Sequence, residues 1–140
     1  MKYALLLLPL ILFSRVALAA MPVEVVATAS DSVGSQLVYQ IKEDLRKSSS
    51  LQLTFSDTEL RLQAQIVTLE QYPNSPGAST VYSVVLTLMV PNQSLPFYLT
   101  QYTGYCGASA VNSCADTVVS KISEASDSML RAAANSQGKR

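Results

Sequence analysis

The chain reads as an α+β domain: a two-layer sandwich in the order β-α-β-β-β-β-α, with a mostly antiparallel sheet and both helices on one face. Three observations predict this. Two segments, one early and one at the end, carry apolar residues at helical spacing. Around them lie five short runs that are β-branched or alternate apolar with polar residues. Turn-forming clusters at 48–50, 72–79 and 91–94 separate the runs. With 140 residues the chain suits one domain, because a single core usually takes about 100–200 residues.

The first strand is Pro22 to Ala29, short and rich in valine. Ser30 or Asp31 then offers an N-cap for a helix running to about Lys47. Within it Val33, Leu37, Ile41 and Leu45 recur every four residues, and most of the positions between them are polar. That is one buried stripe on a wet helix. Gly34, near the start, lets the helix approach a strand closely. Leu51 to Phe55 alternates strictly and forms a second strand. Leu60 to Leu69 alternates too, with a phase slip at Val67-Thr68-Leu69 that marks a bulge. Tyr72 to Ser79 is a loop.

Thr80 to Val90 is apolar on both faces and belongs in the middle of the sheet. Leu95 to Tyr105 is the last strand, with Leu95, Phe97 and Leu99 on one face and Tyr98, Thr100 and Tyr102 on the other. Gly104 and Gly107 supply freedom for the reversal that follows. Ser113 and Asp116 have the spacing of a capping box for the final helix. Its buried stripe is Cys114, Val118, Ile122, Ala125 and Met129.

The N-terminus has the plan of a secretory signal peptide: Met1-Lys2, an apolar stretch from Leu5 to Phe13, and Ala17-Leu18-Ala19 before a cut favoured after Ala19. The apolar stretch is well short of the ~20 residues that span a bilayer. The expected organisation is therefore 1–19 signal peptide, 20–134 one α+β domain and 135–140 flexible tail. No integral membrane span is expected after cleavage. Removing residues 1–19 takes away Lys2 and Arg15, leaving eight basic against ten acidic groups. A mildly acidic chain gives no electrostatic reason to bind nucleic acid.

Export sets the meaning of the cysteines. Cys106 and Cys114 are the only two, and in an oxidising compartment a lone pair reads as a disulfide. Their spacing differs from the C-x-x-C of redox enzymes.

The chain has no histidine, which removes Ser-His-Asp and Cys-His catalysis and every imidazole metal ligand. Glu43-Asp44 sits on a wet helix, and Asp57 and Glu59 lie in a turn. No nucleophile elbow or phosphate loop occurs. No catalytic residue, metal ligand or cofactor is therefore assigned. The candidate binding surface is a tyrosine group, Tyr82, Tyr98, Tyr102 and Tyr105, since tyrosine is enriched at interfaces. The competing reading is that these rings cover the sheet, with hydroxyls at its rim.

The pattern from Asp31-Ser32-Val33-Gly34 through Leu51-Gln52-Leu53, followed by the strand from Leu60, resembles the strand–helix–strand opening of small exported bacterial domains of the TolB N-terminal, LpoB and CsgG kind. The later segment, Tyr105-Cys106-Gly107 to Ser113-Cys114-Ala115, is similar to uncharacterised exported bacterial proteins with a C-G-x6-C-A pattern. The resemblance implies a non-enzymatic binding or accessory module of the cell envelope, periplasmic or secreted, with a protein or envelope component as partner. It supplies no functional residues. An alternative is a small secreted enzyme inhibitor that presents the Tyr72–Ser79 loop or the disulfide-braced Cys106–Cys114 loop.

Overall fold

A computed structural model describes residues 20–137. The expected signal peptide, 1–19, lies outside the described residues. Strands β1 (Met21–Ala29), β2 (Leu51–Leu53), β3 (Arg61–Glu70), β4 (Ser79–Met89) and β5 (Phe97–Gly107) form one sheet, joined by helices α1 (Ser32–Lys47) and α2 (Val111–Gln137). The expected α+β architecture is the one observed.

The strand order is β2-β1-β3-β4-β5. Pairings of β1 with β2 and with β3 are parallel, and those of β3 with β4 and β4 with β5 are antiparallel. The sheet is thus mixed, with the two antiparallel ladders the longer ones. Strands β2 and β3 flank β1 on opposite sides, both parallel to it, so the chain must cross β1 between them. Here β2 has three residues and ends beside Val23, where β3 begins, so residues 54–60 suffice. Phe55, expected in β2, lies beyond it and is exposed. The chain turns at Thr54, whose hydroxyl donates to Glu59 and accepts from the Ser56 amide.

Both helices cover one face. The core between the layers holds Leu37, Ile41 and Leu45 from α1 and Val118 and Ile122 from α2, against Val23, Leu62, Ile66, Val84 and Leu86 of the sheet. Asp31 caps α1 as expected, its Oδ1 accepting the Gly34 amide at 2.7 Å. Gly34 is the point of close approach. A Cβ there would overlap the Thr68 hydroxyl and lie 2.6 Å from the Thr68 Cβ.

The bulge expected in β3 is absent from it. Leu62, Ala64, Ile66 and Thr68 face the core in unbroken alternation, and Val67 and Leu69 face out. The apparent phase slip is a polar residue turned inward beside two apolar ones turned outward. The register shift lies between β4 and β5, at Leu86/Thr87. It sends Tyr98 to one face and Tyr102 to the other, although an even spacing put them together.

Two further expectations are corrected around α2. The helix does not start at a Ser113 cap. The chain leaves β5 directly into a 3₁₀ turn at Ala108–Ala110 and continues into α2 at Val111. Ser113 lies inside the helix, its carbonyl accepting the Thr117 hydroxyl. The fully buried face is Ala115, Val118, Ile122 and Ser126, while Cys114, Ala125 and Met129 are only partly covered. Gly104 is not part of the reversal either. It sits within β5 opposite Tyr82, whose ring occupies the space a Cβ would need, with the phenol oxygen 2.5 Å from that position. Helix α2 runs on through positions 135–137, where the polar tail was expected to begin.

Candidate functional site

The four tyrosines of the sequence reading divide between the two faces of the sheet. Tyr82 on β4 and Tyr102 on β5 point toward the helices, and Tyr98 and Tyr105 stand exposed on β5. Burial raises the pKa of the Tyr82 phenol above its ordinary value. Burial raises that of Tyr102 further, and the neighbouring Tyr82 adds to the effect. The Tyr102 hydroxyl donates to the Val118 carbonyl of α2 at 3.3 Å. Both inner phenols therefore stay protonated at ordinary pH and serve as packing surfaces.

Cys106 and Cys114 are bonded, with Cα atoms 6.1 Å apart, and tie the end of β5 to the first turn of α2. The intervening chain is 3₁₀ and helical rather than projecting. The Ala108 amide donates to the Ala78 carbonyl, which pins this segment against the Tyr72–Ser79 loop.

A concave feature with a largely apolar lining lies between β5 and α2. It is a groove of about 660 Å³ whose walls include Leu99 and Tyr102 on one side and Ala125 and Met129 on the other. Lys121 and Glu124, an ion pair at 2.9 Å, sit at its rim. The groove exists because α2 packs chiefly on α1 and stands back from the outermost strand. That strand is the sheet edge. One side of β5 pairs with β4, and among the described residues the other has no strand beside it. From Phe97 to Gly107, β5 contains neither a charged residue nor a proline, two of the devices that blunt exposed edges, and its one irregularity is the register shift against β4 at Leu86/Thr87. The opposite edge is made of three-residue β2 and, beyond it, residues 24–29 of β1.

The uncovered face of the sheet is graded. At one end Leu69, Val81 and Tyr105 lie directly opposite one another across three strands and are all exposed. At the other, Glu24 accepts from Arg61 Nε at 2.7 Å and from Gln63 at 3.0 Å. Burial would raise the Glu24 pKa, but the hydrogen bonds from Arg61 and Gln63 and the Arg61 charge hold it below the ordinary value.

Several other carboxylates have structural partners. Asp44 accepts from Gln40, Glu43 pairs with Arg46, and Glu59 accepts from the Thr54 hydroxyl. Asp31 is the most deeply engaged. Its Oδ2 accepts the hydroxyls of Thr68 and Thr80, each at 2.9 Å. Burial opposes its ionisation, yet the Gly34 amide, those two hydroxyls and the Val33 amide outweigh it and lower the pKa. Among the described residues, no three His, Cys, Asp or Glu side chains are grouped to hold a metal ion.

Sequence reasoning named Tyr102 but missed the groove. It placed Ala125 and Met129 in the core, and it could not see that the last strand is an edge. The available signal was the absence of charge from Leu95 to Tyr105.

No protein-family model and no curated protein matches the chain. Among solved structures, it is similar to a hypothetical protein from Chlamydia trachomatis at 15% identity, covering 61% of this chain and 69% of that one, with a TM-score of 0.41. It is also similar to rare lipoprotein B from Shewanella oneidensis at 17% identity, covering 81% of this chain and 98% of that one, with a TM-score of 0.33. Both are distant likenesses of fold alone.

Proposed function

We propose that the chain is an exported, non-enzymatic binding module of the bacterial cell envelope, and that it recruits a protein segment by strand addition along β5. The observation that carries this reading is the 11-residue strand β5, an uncharged free edge running beside an apolar groove. A sheet edge offers a row of unpaired amides and carbonyls, and alternate side chains of an added strand fall on the groove side. Export is supported by the signal-like plan of residues 1–19 and by the Cys106–Cys114 bond, which suits an oxidising compartment. A non-enzymatic role is supported by the lack of histidine and by the structural engagement of the inner tyrosines and carboxylates. The inhibitor alternative ranks behind, because the segment between the cysteines, although exposed, is held in 3₁₀ and helical turns and hydrogen-bonded to Ala78 rather than extended for insertion.

Site-specific photo-crosslinking in the exported protein tests the reading. A crosslinker at Gln101 on the edge strand should capture a discrete envelope partner, and one at exposed Tyr39 on α1 should not. Capture at Tyr39 with none at Gln101 would place the binding surface elsewhere.

A further inference from the structure

Resting on that reading of β5 as the binding edge, we infer that a second copy of this chain occupies the edge: two β5 strands pair antiparallel about a two-fold axis and join two sheets of five into one of ten. The groove and edge specify their occupant closely. It must be extended, about 35 Å long at ~3.3 Å per residue, free of charge, and apolar on the side that meets the groove. Strands β4 and β5 both meet these demands, and of the two only β5 has an edge free to pair, since β4 lies between β3 and β5. The 11 residues of β5 carry no charged side chain, so antiparallel juxtaposition with an identical strand brings no like charges together. Leu99 and Tyr102, which wall the groove in one copy, would continue the apolar wall of the groove in the other. The rim carries one cation and one anion, Lys121 and Glu124, and so neither attracts nor repels a strand on charge grounds.

The pairing also closes. A two-fold contact uses the same patch on both copies and leaves no second site for growth. The other edge is made of three-residue β2 and, beyond it, residues 24–29 of β1, and that stretch of β1 begins at Glu24, whose carboxylate is held by Arg61 and Gln63. An uncharged 11-residue edge without a partner would be an aggregation hazard in a monomer. A dimer through that edge removes the hazard, and it sets up a choice between self-pairing and an incoming partner segment.

The experiment reads association directly. Gln101 and Thr103 are exposed on the face away from the helices, opposite Val85 and Ser83 of β4. An axis near Tyr102 places Gln101 of one copy opposite Thr103 of the other. The chain from Ala20 onward should sediment as a concentration-dependent dimer, and Gln101→Lys/Thr103→Lys should sediment as a monomer with an unchanged circular dichroism spectrum. Gln101→Glu/Thr103→Glu should also be monomeric. Mixing the two should restore a heterodimer at least tenfold tighter than either variant alone, which is ~1.4 kcal/mol of pairing.

A wild-type chain that stays monomeric to about 100 μM, well above micromolar affinities, overturns the inference. So does a dimer that ignores both variants, because it would use another surface. Purified protein contains no envelope partner, so this outcome is separate from the crosslinking result. A monomer that still captures a partner at Gln101 sinks the dimer alone. A dimer whose Gln101 crosslinks only to a second copy sinks the recruitment reading alone.

Discussion

Asp31 shows how much one side chain holds here. It ends β1's exit loop, caps α1 through the Gly34 amide, and fixes the hydroxyls of Thr68 on β3 and Thr80 on β4, both fully buried. Two strands and a helix therefore meet at one carboxylate. Replacing it by Asn keeps the shape but weakens charge-assisted acceptance, so Asp31→Asn should cost about 1–3 kcal/mol at pH 7 in denaturant melts. The pH dependence has a definite sign. The folded-state pKa is lowered, so the carboxylate's contribution is complete above its unfolded value of about 3.9 and fades as pH falls through the folded value. The gap between wild type and Asp31→Asn should narrow below about pH 4; a gap that stays constant to pH 2 would show that charge is not what Asp31 contributes. Gly34 makes the same junction possible by its lack of a side chain. Alanine gains roughly 1 kcal/mol of helix propensity over glycine, but its Cβ would strike Thr68. Overpacking of that kind costs about 1–3 kcal/mol, so Gly34→Ala should be destabilising on balance. A more stable Gly34→Ala protein would mean that α1 can shift off β3 freely.

The elements were legible where one rule governed them and illegible where two competed. The α1 stripe of Val33, Leu37, Ile41 and Leu45 is buried as its spacing indicates, because the helix has one covered face and no other demand on it. In β3 the outward Val67 and Leu69 face the uncovered side of the sheet, so apolar character did not mark burial there. In β5 a register shift parted Tyr98 from Tyr102, and nothing in the residues of β5 alone announces it. The start of α2 was misplaced because Ser113-Cys114-Ala115-Asp116 has capping-box spacing, while the disulfide fixes the chain one turn earlier. That bond is an element-scale device: it locks α2 to the end of the strand whose edge it leaves open. Cys106 is buried, so alanine is the appropriate replacement there, with serine at partly exposed Cys114. The Cys106→Ala/Cys114→Ser protein should lose about 2.5 kcal/mol by loop entropy and still bind at low temperature. Binding that disappears with stability intact would move recognition to the cysteine loop and favour the inhibitor reading.

At the scale of the molecule, the number and kind of elements could be read from the sequence, but their order in the sheet could not. Periodicity reports which face of a strand is covered; it does not report its neighbours. The mixed order β2-β1-β3-β4-β5 places the first strand between β2 and β3, its residues 21–23 pairing with β2 and 23–29 with β3. The consequence is a requirement on where the chain must begin. Met21 already pairs with Leu51, and its amide donates to the Ser50 carbonyl at 2.9 Å. All three β1–β2 pairs involve Met21, Pro22 and Val23, and β1 begins to pair with β3 at Val23. Met21 and Val23 are also core residues. Processing after Ala19 or Ala20 would leave every one of these contacts in place, and processing three residues later would remove them. Intact-mass measurement of exported protein should therefore find a start at Ala20 or Met21. A chain begun at Glu24 should lose the pairing of β2 and with it the seat of the C-terminal turn of α1, where Leu45 and Leu51 are both buried. Burying a side chain the size of valine or methionine contributes about 1.5–3 kcal/mol, and two are deleted together with three ladder pairs. Against the 5–15 kcal/mol that typically holds a domain, a loss of about 3–6 kcal/mol from those two side chains is a large share of the total. Thermal melts of chains starting at Ala20 and at Glu24 should differ by well over 10 °C, or the shorter chain should not fold at all. Equal melting would show that β2 and the first turn of β1 contribute nothing to the sheet, and the boundary drawn at Met21 would then have to move inward.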